Sequence, residues 1–183
     1  MLLVKKVTAA DRAQAAAAQR DDAAALAAFE AMVPVLRHPR CMNCHSRGDF
    51  PRQGDDGHLH AMNVRRGPDG KGVTAQKCDT CHQEQNVAGL NMPPGAPNWH
   101  LPPANMPMIW EGLSNRQICA QLKDPQQNGH KNMEQIAEHM AEDKLVAWGW
   151  NPGGGRAPVP LPREEFSAKA REWVSKGAAC PAE

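Results

Sequence analysis

The chain has no tyrosine and only three phenylalanines among its 183 residues, with five tryptophans as the rest of its rings. So few aromatics leave a core that must lean on aliphatic side chains or on something that is not protein. Net charge is also lacking: 21 Lys and Arg against 20 Asp and Glu give +1, no attraction toward nucleic acid or acidic lipid. No apolar run reaches the roughly 20 residues of a membrane span. The opening MLLVKKVTAADRAQ lacks the apolar stretch of a secretory signal, so an exported protein with this sequence is expected as its mature form. No segment reads convincingly as a strand.

What is present is helix former and backbone punctuation. The first 25 residues are Ala-dominated and poor in large apolar side chains, which predicts a solvated helical arm, while Leu26, Phe29, Met32 and Val33 have the spacing of a packed helix face. Residues 37–76 carry Gly, Pro, Asp and Asn without helical period and read as loop. Six prolines between Pro93 and Pro107 exclude helix and central strand, yet this segment is apolar and should lie over something. Ser114 with Gln117 three residues later is a capping box, predicting a helix over 115–123. Met133, Ile136, Ala137, Met140 and Lys144 share a face of a second helix, with His139 on its flank. A last helix runs from about Pro162 to Lys176, with Gly177 as its stop. The fold class is therefore mostly α with long Pro/Gly-rich loops, residues 26–183 forming one domain.

One five-residue pattern occurs twice. CMNCH (Cys41 to His45) and CDTCH (Cys78 to His82) lie 37 positions apart. Three chemistries use C-x-x-C. A thioredoxin-like pair needs a βαβ context, which neither copy has. A zinc site would use the four cysteines and leave the histidines idle. Covalent haem attachment uses everything: each Cys is tethered to a haem vinyl, and the following His binds the iron. With a background His frequency of roughly one in forty, His after the second Cys in both copies is an improbable accident. The reading is two c-type haems on Cys41, Cys44, Cys78 and Cys81, with His45 and His82 as proximal iron ligands. A spacing this short cannot build separate haem domains, so both porphyrins share one fold and supply its missing core.

The stretches HPRCMNCH, HAMNVRRGPDGKGV, CDTCH, PPGAPNW, ICAQLKDPQQNG, EHMAEDKLVAWGWNPG and GAAC resemble a family of bacterial di-haem c-type cytochromes, often labelled as subunits of isoquinoline 1-oxidoreductase. The resemblance covers roughly residues 26–181 and implies a periplasmic electron carrier. Its partners would be a dehydrogenase, such as a molybdenum hydroxylase, and a downstream acceptor.

For the distal iron ligands, His60 in the loop between the motifs and His139 on its helix are the expected pair, the resemblance favouring His60 over His58. His100 and Met108 stand in reserve. Arg65 and Arg66 are expected partners of haem propionates, because guanidinium matches carboxylate geometry. Cys119 and Cys180 remain after the motifs are served, and in an exported chain they should form a disulfide. Bis-His ligation closes both irons, so electron transfer without catalysis is the expected function. A peroxidase-like enzyme or haem sensor with one open iron is the competing one.

Overall fold

The computed structural model describes residue 8 and residues 20–182. Most of the expected Ala-rich arm lies outside the described residues. Helix α1 (Asp22–Leu36) opens where the Asp21 carboxylate accepts from the Ala24 N–H, and already Ala25 is fully buried. The remaining helices are α2 (Pro39–Met42), α3 (Asn115–Lys123), α4 (Met133–Glu142), α5 (Lys144–Ala147) and α6 (Arg163–Ser175). Helix is the dominant regular structure, and long loops connect it.

The core is a helical packing of α1 and α4 against α6, with α3 alongside. Phe29, Met32 and Val35 of α1 meet Phe166, Ala170 and Trp173 of α6, and the Phe29 and Trp173 rings lie 5.4 Å apart. Trp173 is wholly enclosed, and its indole N–H donates to the Ala179 carbonyl at 2.9 Å. A large amphipathic ring is thus buried with its one polar atom satisfied. Behind it Cys119 of α3 and Cys180 of the C-terminal tail form a disulfide across a separation of 61 residues.

Three expectations need correction. The loop between residues 37 and 76 contains one helical turn, α2, and two antiparallel ladders of two residues per strand, β1 (Arg52–Gln53) with β2 (His58–Leu59) and β3 (Gly72–Val73) with β4 (Gln76–Lys77). Ladders this short have no alternation to read in sequence. The helix expected to carry Met133 through Lys144 stops at Glu142, because Asp143 takes an extended backbone and its carboxylate accepts from the Leu145 and Val146 N–H groups, capping α5 afresh. Only α3 and α6 follow the sequence reading almost to the residue; the Ser114–Gln117 capping box is formed with both hydrogen bonds. No helix among the described residues is long and apolar enough to cross a membrane.

Closing a loop of this length restricts the unfolded chain by about 4 kcal/mol in the chain-entropy description. Reduction of Cys119–Cys180 should therefore add two hydrogens to the intact mass and lower the unfolding free energy in urea by about that amount. A urea midpoint indifferent to reductant would remove the disulfide from the stability of the fold.

Candidate functional site

The two C-x-x-C-H segments fold into the same turn. His38 caps α2, with Pro39 at its first position, and the chain then closes on the Cys41 carbonyl: Cys44 N–H donates to it at 3.2 Å and His45 N–H at 3.1 Å. In the second copy Cys81 and His82 donate to the Cys78 carbonyl at 3.2 and 2.9 Å. Helical closure of this kind brings positions i, i+3 and i+4 to one side, so each turn presents two thiols and an imidazole together.

The proline-rich segment then serves both turns in the same way. His45 Nδ1 bonds the Met108 carbonyl at 2.8 Å and its ring stacks on Trp110, centroids 3.7 Å apart and planes within 6°. His82 Nδ1 bonds the Pro94 carbonyl at 2.7 Å and its ring stacks on Trp99 at 4.4 Å and 2°. A carbonyl can only accept, so each Nδ1 is the donor and each Nε2 keeps its lone pair for a further partner. A hydrogen bond on the far nitrogen is how a metal-binding histidine is held in tautomer and orientation. Burial strengthens the effect: it pushes the His45 imidazole down to about 4 and lowers that of His82, so both are neutral donors at physiological pH.

The first turn opens into a cavity of about 220 Å³ lined by Cys41, Cys44, His45, His100, Met106, Met108 and His139, with α1, α4 and α6 contributing Leu36, Met140 and Phe166. His139 is carried there by α4, with its Nδ1 3.2 Å from the Asp143 carboxylate. That interaction draws the Asp143 carboxyl down to about 2. Met108 meets His45 through its backbone, while His100 ties its Nδ1 to the Asn98 carbonyl.

His60 comes to the second turn instead. Its ring lies 6.0 Å from that of His82, inclined by 66°, and its Nδ1 bonds the Ala61 carbonyl at 2.8 Å. The two imidazoles lie near enough that both would be available to one bound metal. This second site is open. The exposed large hydrophobics among the described residues all fall in the segments around it: Leu59 at 57% exposure, Met62 at 77% and Leu90 at 78%, with Val87 and Met92. Exposed apolar side chains gathered in one region mark a surface built to be covered.

The expected arginines divide. Arg66 is 1% exposed, donates to the Pro102, Ser46 and Gly48 carbonyls, and its Nε finds no hydrogen-bond partner among the described residues. Arg65 lies outside, 3.6 Å from Asp49 and over the Phe50 ring. Arg40, which the sequence reading passed over, lines the cavity, contacts Asp55 and Gly54, and also has a buried Nε without a partner among the described residues. Trp99, Trp110 and Asp143 were missed as well. Trp–Pro neighbourhoods hinted at the first two, but no spacing rule links an indole to a distant motif.

The residues fit two c-type haems. Each turn offers two thiols beside a neutral imidazole whose far nitrogen is tied down, with a second tied histidine nearby, and buried guanidinium nitrogens stand unpartnered next to the first turn. Among the described residues no group of three or more His, Cys, Asp or Glu converges on one bare-ion position. No family model, curated protein or solved structure matches this chain.

Of the four free thiols Cys81 is exposed, Cys41 and Cys44 are half-buried and Cys78 is buried. Burial pushes Cys41 up to about 12 and Cys44 up to about 11, and raises Cys78, whereas Cys81 is exposed. Since only thiolate reacts, the unloaded chain at pH 8 should be alkylated first at Cys81, with Cys41 and Cys44 last. Peptide mass mapping over time checks the order, and early labelling of Cys41 would contradict this burial.

Proposed function

We propose that the chain is an electron-transfer protein carrying two c-type haems, tethered at Cys41 and Cys44 and at Cys78 and Cys81. One observation carries the reading: the C-x-x-C-H turn is built twice, and each copy has an imidazole with Nδ1 on a carbonyl and an indole stacked on its face. A metal-free structural role gives no reason for the histidine to be immobilised identically in both copies. The haem iron supplies the one-electron chemistry when bound; the protein supplies ligation, orientation and exclusion of water.

His45 and His82 are the proximal ligands. His139 serves the first iron, since it lines the cavity with Cys41, Cys44 and His45, and His60 serves the second, since it faces His82. Asp143 holds the tautomer and orientation of His139, as the Ala61 carbonyl does for His60. Arg66 and Arg40 are suited to a propionate of the first haem, and Arg65 to a solvent-facing one. The apolar side chains of Leu59, Met62, Leu90 and Met92 would pack on the second porphyrin. The domain is then a cytochrome c-like unit whose core is completed by cofactor. The sequence resemblance adds the setting: the periplasm, with a dehydrogenase on one side and an acceptor on the other.

Coexpression with a haem-attachment system should give an intact mass raised by two haems and a low-spin visible spectrum. Oxidised protein should lack the near-infrared band of methionine ligation, and the reduced form should bind carbon monoxide slowly or not at all. His139→Ala and His60→Ala should each open one iron to carbon monoxide while both haems stay attached. An unmodified mass after such expression would sink the proposal, and rapid carbon monoxide binding by the unaltered protein would favour a peroxidase or sensor.

A further inference from the structure

The two sites use the same ligand types in different electrostatic surroundings. On the first, two guanidinium groups bracket the motif. Arg40 directly precedes Cys41, and Arg66 donates to the carbonyl of Ser46, the residue after His45. Both side chains are buried, at 5% and 1% exposure. Arg40 is offset by the contacting Asp55 carboxylate. Arg66 makes no ion pair among the described residues: its partners are backbone carbonyls, and Asp49, which acts on it through space, is paired with Arg65. Among the described residues no cation as fully enclosed as these stands beside the second motif. Lys77 beside Cys78 lies 3.9 Å from Asp69, Asp79 is exposed, and Arg156, which acts on His82 through space, donates to the Pro152 and Met92 carbonyls.

We infer that the buried guanidinium of Arg66, with Arg40 beside it, sets the reduction potential of the first site above that of the second. The inference rests on the two-haem reading. Ferric haem carries one more positive charge than ferrous haem, so a nearby cation in a medium of low dielectric penalises the oxidised state and raises the potential. Burial acts in the same direction, because the more highly charged state loses more hydration. Matching bis-His ligation removes the axial ligand as a source of difference. At the second site Asp79 is exposed, and the half-buried Lys77 and Arg156 are more open to screening by water and salt than the two enclosed arginines. The sign survives if a propionate closes on Arg66, since removing the guanidinium then leaves that carboxylate uncompensated. Arg66 and Arg40 are positioning and tuning residues here, with no contact to iron required.

Potentiometric titration of the loaded protein, after mass has established two covalent haems, tests the inference. Two one-electron steps are expected. Arg66→Gln should lower the upper step by about tenfold in its equilibrium constant, about 59 mV for one electron, and leave the lower step in place, while Arg66→Lys should keep it near its original position. Asp55→Asn should raise the upper step, because it uncovers the charge of Arg40 while keeping an oxygen for the Ala157 N–H that Asp55 now accepts. If Arg66→Gln fails to fold or to load, the half-exposed Asp55 variant decides alone: a rise supports the assignment, and no change or a fall overturns it. Movement of the lower step in place of the upper one also overturns it. A chain that loads no haem fails earlier, by mass, and that outcome sinks the two-haem reading itself.

Discussion

Everything in the candidate site depends on two hydrogen bonds from imidazole Nδ1 to a backbone carbonyl, His45 to Met108 and His82 to Pro94. Pro94 lies in the proline-rich segment and Met108 directly follows its last proline, and the reason is physical. A segment with six prolines cannot pair its carbonyls in a helix or ladder, so those carbonyls are available to something else. Met108 shows what the aiming costs: it takes a left-handed backbone at φ 43°, uncommon for a residue with a side chain. The segment delivers an indole with each carbonyl, Trp99 after Pro94 and Trp110 after Met108, and so clamps each ring by edge and by face.

The helical core plays a different part. Helices α1, α4 and α6 hold one another through Phe29, Met32, Phe166 and Trp173, and this rigid body forms one side of the first cavity. His139 reaches the cavity because α4 is fixed by Ile136 and Met140 on its buried face. Asp143 then has two functions at one position, ending α4 while capping α5 and pairing with His139. A substitution there would disturb backbone and imidazole together. The second site is assembled from the short turns around His60 and the loop around Met92, with Trp148, just after α5, against Trp99.

How much could be read in advance follows this division. Helix α3 was legible from Ser114 and Gln117 because capping is a local bond between near neighbours, and α6 from the spacing of Phe166, Ala170 and Trp173. The duplicated motif was visible as a pattern because its five residues are near neighbours, and both copies close into a turn. Arg40 was not, since its burial depends on Asp55 and Trp148, which only the folded chain brings to it. Nor could Arg65 and Arg66 be told apart: adjacent in sequence, one is enclosed and the other stacks outside on Phe50. His60 and His139 were singled out in sequence, but that they lie beside separate motifs came only from the approach of His60 to His82 and of His139 to the first cavity.

The contrast between the sites bears on how the fold is held. The first site is enclosed by a core whose buried residues already form a continuous cluster, so that core does not require a cofactor to be apolar inside. The second leaves Leu59, Met62 and Leu90 mostly in water, a loss that a large planar hydrophobe would reverse at roughly 25 cal/mol for each Å² covered. A group that binds the folded chain and not the unfolded one stabilises it by mass action, and a covalent tether makes that stabilisation permanent. Under the two-haem reading, cofactor attachment would therefore order the loops around His60 and His82 far more than it orders the helices. Under that same reading the helical half is a scaffold packed by its own side chains, and the loop half would be fixed jointly with the cofactor it binds.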